Sequence, residues 1–457
     1  MTFNQAKTLL KQHGQEHLLA FWPKLNATQR AKLLEQIAGL DFSLVNKMRA
    51  LLKTRAPFMQ PADVLEHTPR QRVKAVAVGE AALKKGEVGV ILVAGGQGTR
   101  LGFDAHKGAY PIGPLTDASL FFYHARHILA MSRRYGKPIP FYIMTSDGND
   151  AATRAHFKAK NYFGLPRKDV FFFTQGTWPA LTPEGEIILD APSNIFAGPD
   201  GHGGTLSALK NSGALADMTK RKLTTLFYFQ VDNPMVEVAD PAFIGAHLQA
   251  KADYSLKLCK KRDPDEGLGV VVNRGKHFEM IEYTELTKEQ KNQRTPDKEL
   301  YFKYGSVAIH AFALAFLKKQ TQVFMPLHLA NKKIPFVDAR GASQDPAQPN
   351  GYKFEKFIFD LLPHAKNVLN FAFDRNEEFS PVKNAEGNDS PETCRRDLSA
   401  KAARMLIEAG FKIPLDAKGC PLQLIELDPC FALTPAELKK RLTAQPDTSK
   451  PLLFTLP

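Results

Sequence analysis

Apolar positions follow two different rhythms along the chain. Residues 1–85 alternate helical patterns with short breaks and give no strand signal. MTFNQAKTLLKQHGQEHLLAFW reads as an amphipathic helix, and NATQRAKLLEQIAGL carries apolar residues at helical spacing behind an N-cap candidate, Asn26 or Thr28. The rhythm changes at Val88. VGVILVAG is a short β-branched run ending in glycines, which suits a buried parallel strand. PFYIMTS (140–146), DVFFFTQG (169–176) and TTLFYFQVDN (224–233) follow, with helical patterns such as ASLFFYHARHILAMSRRYG (118–136) between them. Strands alternating with helices predict a parallel sheet with helices on both faces. Between about 253 and 315 the pattern becomes strand-rich (YSLKLCKK, LGVVVNRG, HFEMIEYTE, GSVAIHAFA), as for an antiparallel insertion beside that sheet. FEKFIFDLLPHA is an apolar helix pattern, and the tail after about 395 reads as a helix followed by a small lobe. The expected organisation is a helical region over 1–85, an α/β domain over 86–395 and a small C-terminal domain over 396–457.

Composition narrows the class. An apolar content of 44% with 24% charged residues is that of an ordinary globular protein. No run approaches the roughly 18 apolar residues of a membrane span, and the N-terminus lacks the features of a signal peptide. A cytoplasmic protein without a membrane partner is expected. The cysteines Cys259, Cys394, Cys420 and Cys430 show no C-x-x-C pairing and read as free thiols. The net charge of +14 comes from 61 basic and 47 acidic residues and favours polyanionic partners. No long basic tract with interleaved aromatics accompanies it, so a phosphate-rich small substrate fits better than nucleic acid.

LVAGGQGTRLG (92–102) is where such a substrate would bind. Gly95, Gly96 and Gly98 remove side chains where backbone must approach a ligand, and free N–H groups in such a turn hold phosphate oxygens. The loop is not a P-loop, because no Gly-Lys-Ser/Thr follows. It also misses the dinucleotide fingerprint, with Leu101 where the third glycine belongs. Arg100 and Lys107 are cations close to the loop, suited to neutralising a triphosphate and a departing pyrophosphate. Asp232 follows an apolar strand, where a carboxylate suits Mg²⁺ or serves as a plain turn residue. The glycine loop, Gln175 and Asp232 all stand at strand ends, where α/β sheets bind ligands. APDGHGGTLSAL is a second glycine loop, with His202 in its turn; Lys383 taken alone reads as a surface lysine.

These motifs in this order resemble the UDP-sugar pyrophosphorylase family, most of all its UDP-N-acetylglucosamine pyrophosphorylases. The likeness runs through AGGQGTRLG, FFTQGTWPAL, APDGHGG, FQVDNPMVEVADPAFIG, GLGVVV, MIEYTEL, FEKFIFDLL and EEFSPVKNAEGNDSPETCRRDL. It implies a Rossmann-like (GT-A-like) nucleotidyltransferase fold: a central mixed sheet with helices on both faces, and helical and C-terminal additions. It implies a uridylyltransferase that joins UTP to a sugar 1-phosphate and releases pyrophosphate with Mg²⁺, as a monomer or homodimer. Gly95, Gly96 and Gly98 would contact the nucleotide, with Arg100 and Lys107 on the triphosphate. Gln175 would read uracil with backbone near Gly201, and Asp232 would hold Mg²⁺. Gly269, Glu282, Ser306 and His202 would border the sugar, and Lys383 would neutralise its phosphate.

Three departures touch that pattern. His106 precedes Lys107 where the family has proline. His202 stands where the N-acetylglucosamine enzymes often have asparagine. Ser306 and Ile309 replace two asparagines in GSVAIH. N-acetylglucosamine 1-phosphate is the expected sugar, with glucose 1-phosphate or broad specificity as the alternative. A nicotinamide-dependent oxidoreductase and a non-catalytic sugar-nucleotide sensor are the readings from other classes.

Overall fold

The computed structural model describes residues 1–51, 60–275, 277–323 and 325–456. Contacts divide the chain into two compact units, each assembled from separate stretches of sequence. One comprises Met1–Phe58, Gln175–Thr205 and Phe324–Asp360; the other comprises Met59–Thr174, Leu206–Val323 and Leu361–Pro457. The pattern along the chain offered contiguous segments instead.

The first unit starts with helices α1 (Phe3–Gln12), α2 (Ala27–Gly39) and α3 (Phe42–Leu51). Thr2 and Gln5 form a capping box on α1; Asn26, rather than Thr28, caps α2 and pairs with Gln29 in the same way. Leu10, Leu33, Ile37 and Val45 from the helices share a core with Leu181, Ile187, Leu189 and Phe354. Two-stranded ribbons complete the unit, among them Thr177–Pro179 paired with Ala197–Pro199 and His328–Lys332 with Gly351–Glu355.

The second unit is built on a ten-stranded mixed sheet. Its strands are β1 (Gln60–Pro61), β2 (Val88–Val93), β3 (Phe141–Thr145), β4 (Val170–Thr174), β5 (Thr225–Gln230), β6 (Tyr254–Lys260), β7 (Val270–Asn273), β8 (Phe278–Ile281), β9 (Tyr304–Ala313) and β10 (Val368–Ala372). The path runs β1-β7-β9-β5-β2-β3-β4, with β6 joining β9 to β10 and β8 beside β7. The four β-branched and aromatic runs identified in the sequence form its parallel half, β5-β2-β3-β4. The strand-rich stretch is not an insertion beside the sheet. β9 pairs antiparallel with β5 and carries the same sheet onward. Alternation of apolar residues predicts strands but not their partners, so periodicity could not decide this.

The longer helices of this unit are α4 (Pro69–Lys85), α5 (Leu120–Tyr135), α6 (Asp150–Ala159), α7 (Pro241–Gln249) and α8 (Pro391–Glu408). Thr68 caps α4, with Pro69 in the first turn and Gly86 left-handed at its end. α4 and α7 touch through glycines. A Cβ on Gly245 would lie 1.7 Å from the Ala75 carbonyl oxygen, and one on Gly79 would lie 2.0 Å from that of Pro241. The sheet core holds Val90, Phe121, Phe141, Ile143, Phe157, Phe227, Phe229 and Phe243, all fully buried. Leu406 near the end of α8 encloses a small core with Ile425, Ala432, Leu438 and Phe454 beyond it. FEKFIFDLLPHA makes a 3-10 turn over Ile358–His364 instead of an α-helix: Glu355 still belongs to a strand, and Pro363 removes a donor six residues into the turn. Among the described residues no helix is long and apolar enough to cross a membrane.

Candidate active site

β2 and β5 lie side by side in parallel, with Val93 opposite Gln230. Their carboxyl ends therefore release the glycine loop and Asp232 next to each other, and the Val231 N–H donates to the Val93 carbonyl at 3.0 Å. The glycine loop is pinned from below. Asn149 donates to the Ala94 carbonyl at 2.9 Å, and the Ser146 hydroxyl to that of Gly95 at 2.9 Å. Gly98 N–H donates to Ala105 O at 2.9 Å, and Lys107 N–H to Gly96 O at 3.2 Å, folding 96–107 back on itself.

The loop's glycines differ in purpose. A Cβ on Gly98 would lie 2.9 Å from the Phe103 carbonyl oxygen, so the fold itself demands glycine there. Gly96 is exposed, and a Cβ on it would meet no atom within 4 Å. Neither packing nor backbone requires glycine at 96, which leaves the close approach of a ligand as the physical reason. Arg100 is exposed in the short turn Thr99–Leu101 that follows.

The folded-back loop delivers Lys107 to Asp232, with Nζ 3.4 Å from Oδ2 and side chains only 17% and 13% exposed. A third stretch closes the group. Asn233 donates to the Glu378 carbonyl at 2.7 Å and accepts from the Ser380 N–H at 3.1 Å. The Val382 N–H donates to the Asp232 carbonyl at 2.9 Å, which brings Lys383 alongside. Burial pushes the Asp232 carboxyl upward, but the Lys107 and Lys383 cations outweigh it and hold the group below its ordinary range. Asp232 is therefore an ionised carboxylate between two ammonium groups, beside an open glycine loop. Among the described residues no group of three His, Cys, Asp or Glu side chains is arranged to hold a metal ion. A cation held here would rest on Asp232 and complete its shell with water and phosphate oxygens, a habit of Mg²⁺.

Gly269 and Ser306 also meet, Ser306 N–H donating to the Gly269 carbonyl at 2.8 Å. A Cβ on Gly269 would press on Met280 Sδ at 3.0 Å. Ser306 opens a bulge: Leu256 pairs with His310 but Leu258 with Ser306, and Ala308 has φ +57°. Ile309 is buried in that bulge. Glu282 follows β8 in a turn where its N–H donates to the Glu285 carboxylate at 2.9 Å. His106 is buried against Phe121 and His156, with ring centroids 5.6 Å and 5.5 Å away. Its Nδ1 has no hydrogen-bond partner, and burial lowers its pKa to about 4.

Gln175, Gly201 and His202 belong to the other unit. Gln175 is buried. Gly176 O accepts from the Asp200 N–H at 3.0 Å, which ties the two stretches together. Gly201 has φ +82°, and a Cβ there would sit 2.4 Å from the Lys356 carbonyl oxygen. His202 stacks on Phe357 at 5.1 Å and accepts the Ile358 N–H on Nδ1 at 3.2 Å. Burial holds its pKa at about 4, so the ring is neutral.

Sequence reasoning passed over three residues here. Asn149 and Asn233 are the side chains that fix the loop and the Lys383 segment. Asp200 is a buried carboxyl whose Oδ1 has no partner and whose pKa burial raises to about 6, against the pull of Lys356. Each lies beside a motif that was singled out, but their roles depend on backbone groups brought near only by folding.

A family model described as UTP–glucose-1-phosphate uridylyltransferase matches residues 48–450. A probable UDP-N-acetylglucosamine pyrophosphorylase of Dictyostelium discoideum is 35% identical over 94% of this chain and 93% of its own. The UDP-N-acetylglucosamine pyrophosphorylase of Saccharomyces cerevisiae is 35% identical over 88% and 87%. The crystal structure of the Trypanosoma brucei uridine diphosphate N-acetylglucosamine pyrophosphorylase, in complex with an inhibitor, superposes with a TM-score of 0.81 at 27% identity over 98% and 97%. The fold is thus the α/β nucleotidyltransferase fold that the sequence motifs implied, and the oxidoreductase and sensor readings fall away. The chain is an enzyme that belongs to the UTP–glucose-1-phosphate uridylyltransferase family.

Proposed function

We propose that this uridylyltransferase joins UTP to N-acetylglucosamine 1-phosphate, forming the UDP-sugar and pyrophosphate. The observation that carries the reading is the triad Lys107–Asp232–Lys383 beside the open glycine at 96. An oxygen of the sugar phosphate attacks the α-phosphorus of UTP. A new P–O bond forms as the bond from the α-phosphorus to the α,β-bridging oxygen breaks, and that oxygen leaves with pyrophosphate. Phosphoryl chemistry of this kind needs little beyond positioning and charge neutralisation, and no covalent enzyme intermediate.

This chain's residues divide that work. Backbone N–H groups of Gly95, Gly96 and Gly98 receive the nucleotide phosphates, with Arg100 at the outer end. Lys107 offsets charge that builds on the departing pyrophosphate, and Lys383 offsets that of the sugar phosphate. Asp232 would hold Mg²⁺, which supplies Lewis-acid polarisation of phosphate oxygens when bound. Gln175, with backbone at Gly201, reads the uracil edge. Gly269, Glu282 and Ser306 border the sugar. We place the reaction in the cytoplasm, a reading supported by four cysteines that are all unpaired.

The names of the relatives favour N-acetylglucosamine 1-phosphate as substrate; the Gly-His-Gly-Gly turn at 201–204 keeps glucose 1-phosphate as the second reading. Pyrophosphate release from UTP with Mg²⁺ and a panel of sugar 1-phosphates decides between them. A preference of kcat/KM for N-acetylglucosamine 1-phosphate is expected. Comparable rates for glucose and galactose 1-phosphates would establish a broad-specificity enzyme, and no turnover with any sugar would refute the proposal.

A further inference from the structure

Lys257 is an unusual lysine. Its side chain is fully buried, on β6, and its ammonium touches two carboxylates: Asp240 Oδ2 at 2.8 Å and both oxygens of Glu378 at 2.6 Å. Phe243 and Phe373 lie 5.4 Å and 5.9 Å from it and complete the enclosure. A buried ion pair contributes little net stability compared with well-packed apolar side chains, so stability alone is a poor reason to keep one. What sets this cluster apart is the segment it holds. Glu378 is the last residue of the turn Arg375–Glu378, five positions before Lys383. Its carbonyl receives Asn233 Nδ2, and Asn233 Oδ1 receives the Ser380 N–H. Two residues later the Val382 N–H bonds to the Asp232 carbonyl. One carboxylate thus ties β6 to both arms of the Asp232–Lys383 pair. The other, Asp240, caps α7 by accepting the Ala242 N–H at 2.9 Å, on the side of the cluster away from that segment's own hydrogen bonds to Asn233 and Asp232.

We propose that Lys257 is a positioning residue for uridylyl transfer: its buried ammonium clamps Glu378, fixes the segment from Glu378 to Lys383 against Asn233, and so sets where Lys383 stands beside Asp232. The role rests on the placing of Lys383 and Asp232 in the transferase site. Lys257 touches neither substrate nor metal and acts through Glu378. Loss of the clamp frees Lys383 to drift by a fraction of an ångström to an ångström, and displacements of that size cost about 10–100-fold in rate when they move a group that stabilises the transition state.

The test compares full-length Glu378→Gln, Lys257→Met, Asp240→Asn and Lys383→Ala in the same pyrophosphate-release assay, with a thermal melt of each. Glu378→Gln and Lys257→Met are expected to lose about tenfold or more in kcat with the KM for UTP within about twofold of the unmodified enzyme. Asp240→Asn is expected to melt earlier but to keep its kcat, because it removes one charge facing Lys257 while leaving the Glu378 clamp and the Lys383 segment in place. Should Lys257→Met fail to fold, the Lys257→Met/Glu378→Gln double variant removes both charges together and is measured in its place. A folded Glu378→Gln enzyme with an unchanged kcat would overturn the proposal, as would an Asp240→Asn enzyme that loses kcat as steeply as Glu378→Gln. Full activity of Lys383→Ala would instead overturn the placing of the site itself, so the two failures are told apart.

Discussion

Lys107 and Lys383 reach one carboxylate from opposite directions, and each is expected to matter beyond the ion pair it makes. Lys107→Ala and Lys383→Ala should each lower kcat/KM by about 10²–10³, the scale for losing one preorganised group that faces transition-state charge. Steady-state rates with both substrates varied would check this. Asp232→Asn should raise the Mg²⁺ concentration needed for half-maximal rate, and an unchanged Mg²⁺ dependence would remove Asp232 from the metal. His106 makes the opposite prediction. It stands where the family has proline, yet its φ is −64°, the value proline fixes. The two hydrogen bonds that fold the loop back are made by Gly98 and Lys107, not by the His106 N–H. His106→Pro should therefore keep kcat within about twofold, because every backbone bond of the loop survives. A large loss of rate would show that the imidazole itself acts. The four residues differ in how far the sequence revealed them. Asp232 stands next to a strand end and Lys107 close to the glycine loop, where position alone suggests a ligand. Lys383 was legible only through resemblance, because its meaning comes from the Val382–Asp232 hydrogen bond, which joins residues 150 positions apart.

Strands and helices of the parallel half were readable because each is long, apolar and bounded by glycine or a polar turn: the run at 88 became Val88–Val93, and the one at 224 became Thr225–Gln230. The antiparallel strands were also found, but not their place in the sheet. The bulge at Ser306–His310 shows why, since alternation says nothing of a register that shifts within one strand. Helix packing hid in the same way. Nothing local marks Gly79 or Gly245 as a contact, yet both allow backbone to meet backbone between α4 and α7. Gly245→Ala should destabilise the protein by about 1–3 kcal/mol, the usual cost of forcing extra volume into a packed contact, and lower the melting temperature by a few degrees. Catalytic constants measured well below the melt should not change, since β2, β5 and the loops they release remain in place. A Gly245→Ala enzyme that melts like the parent would mean that the two helices separate freely.

Across the whole molecule the buried histidines set the response to acid. Burial lowers the pKa of His106, His124, His127, His202 and His247 to about 4 from an ordinary 6.5. In the folded protein these rings stay neutral down to about pH 4, while in the unfolded chain they take up protons below about 6.5. The unfolded state therefore binds more protons in that window, and stability rises with pH through it. Asp200 works in the other direction, because burial raises its carboxyl pKa to about 6 and the folded state keeps its proton. Five rings against one carboxyl leave the histidines in control between pH 4.5 and 6.5. Melting temperatures taken across that range should fall steadily as pH drops and level off above about 7. The packing of His124 makes it the most informative single site: its Nε2 lies 3.0 Å from the Val231 carbonyl, one residue before Asp232. His124→Gln replaces a titrating ring with a side chain that stays neutral and can still donate to that carbonyl. Its melting temperature should fall less between pH 7 and 5 than that of the parent enzyme. A variant with an undiminished acid slope would show that the loss of stability comes from groups other than this ring.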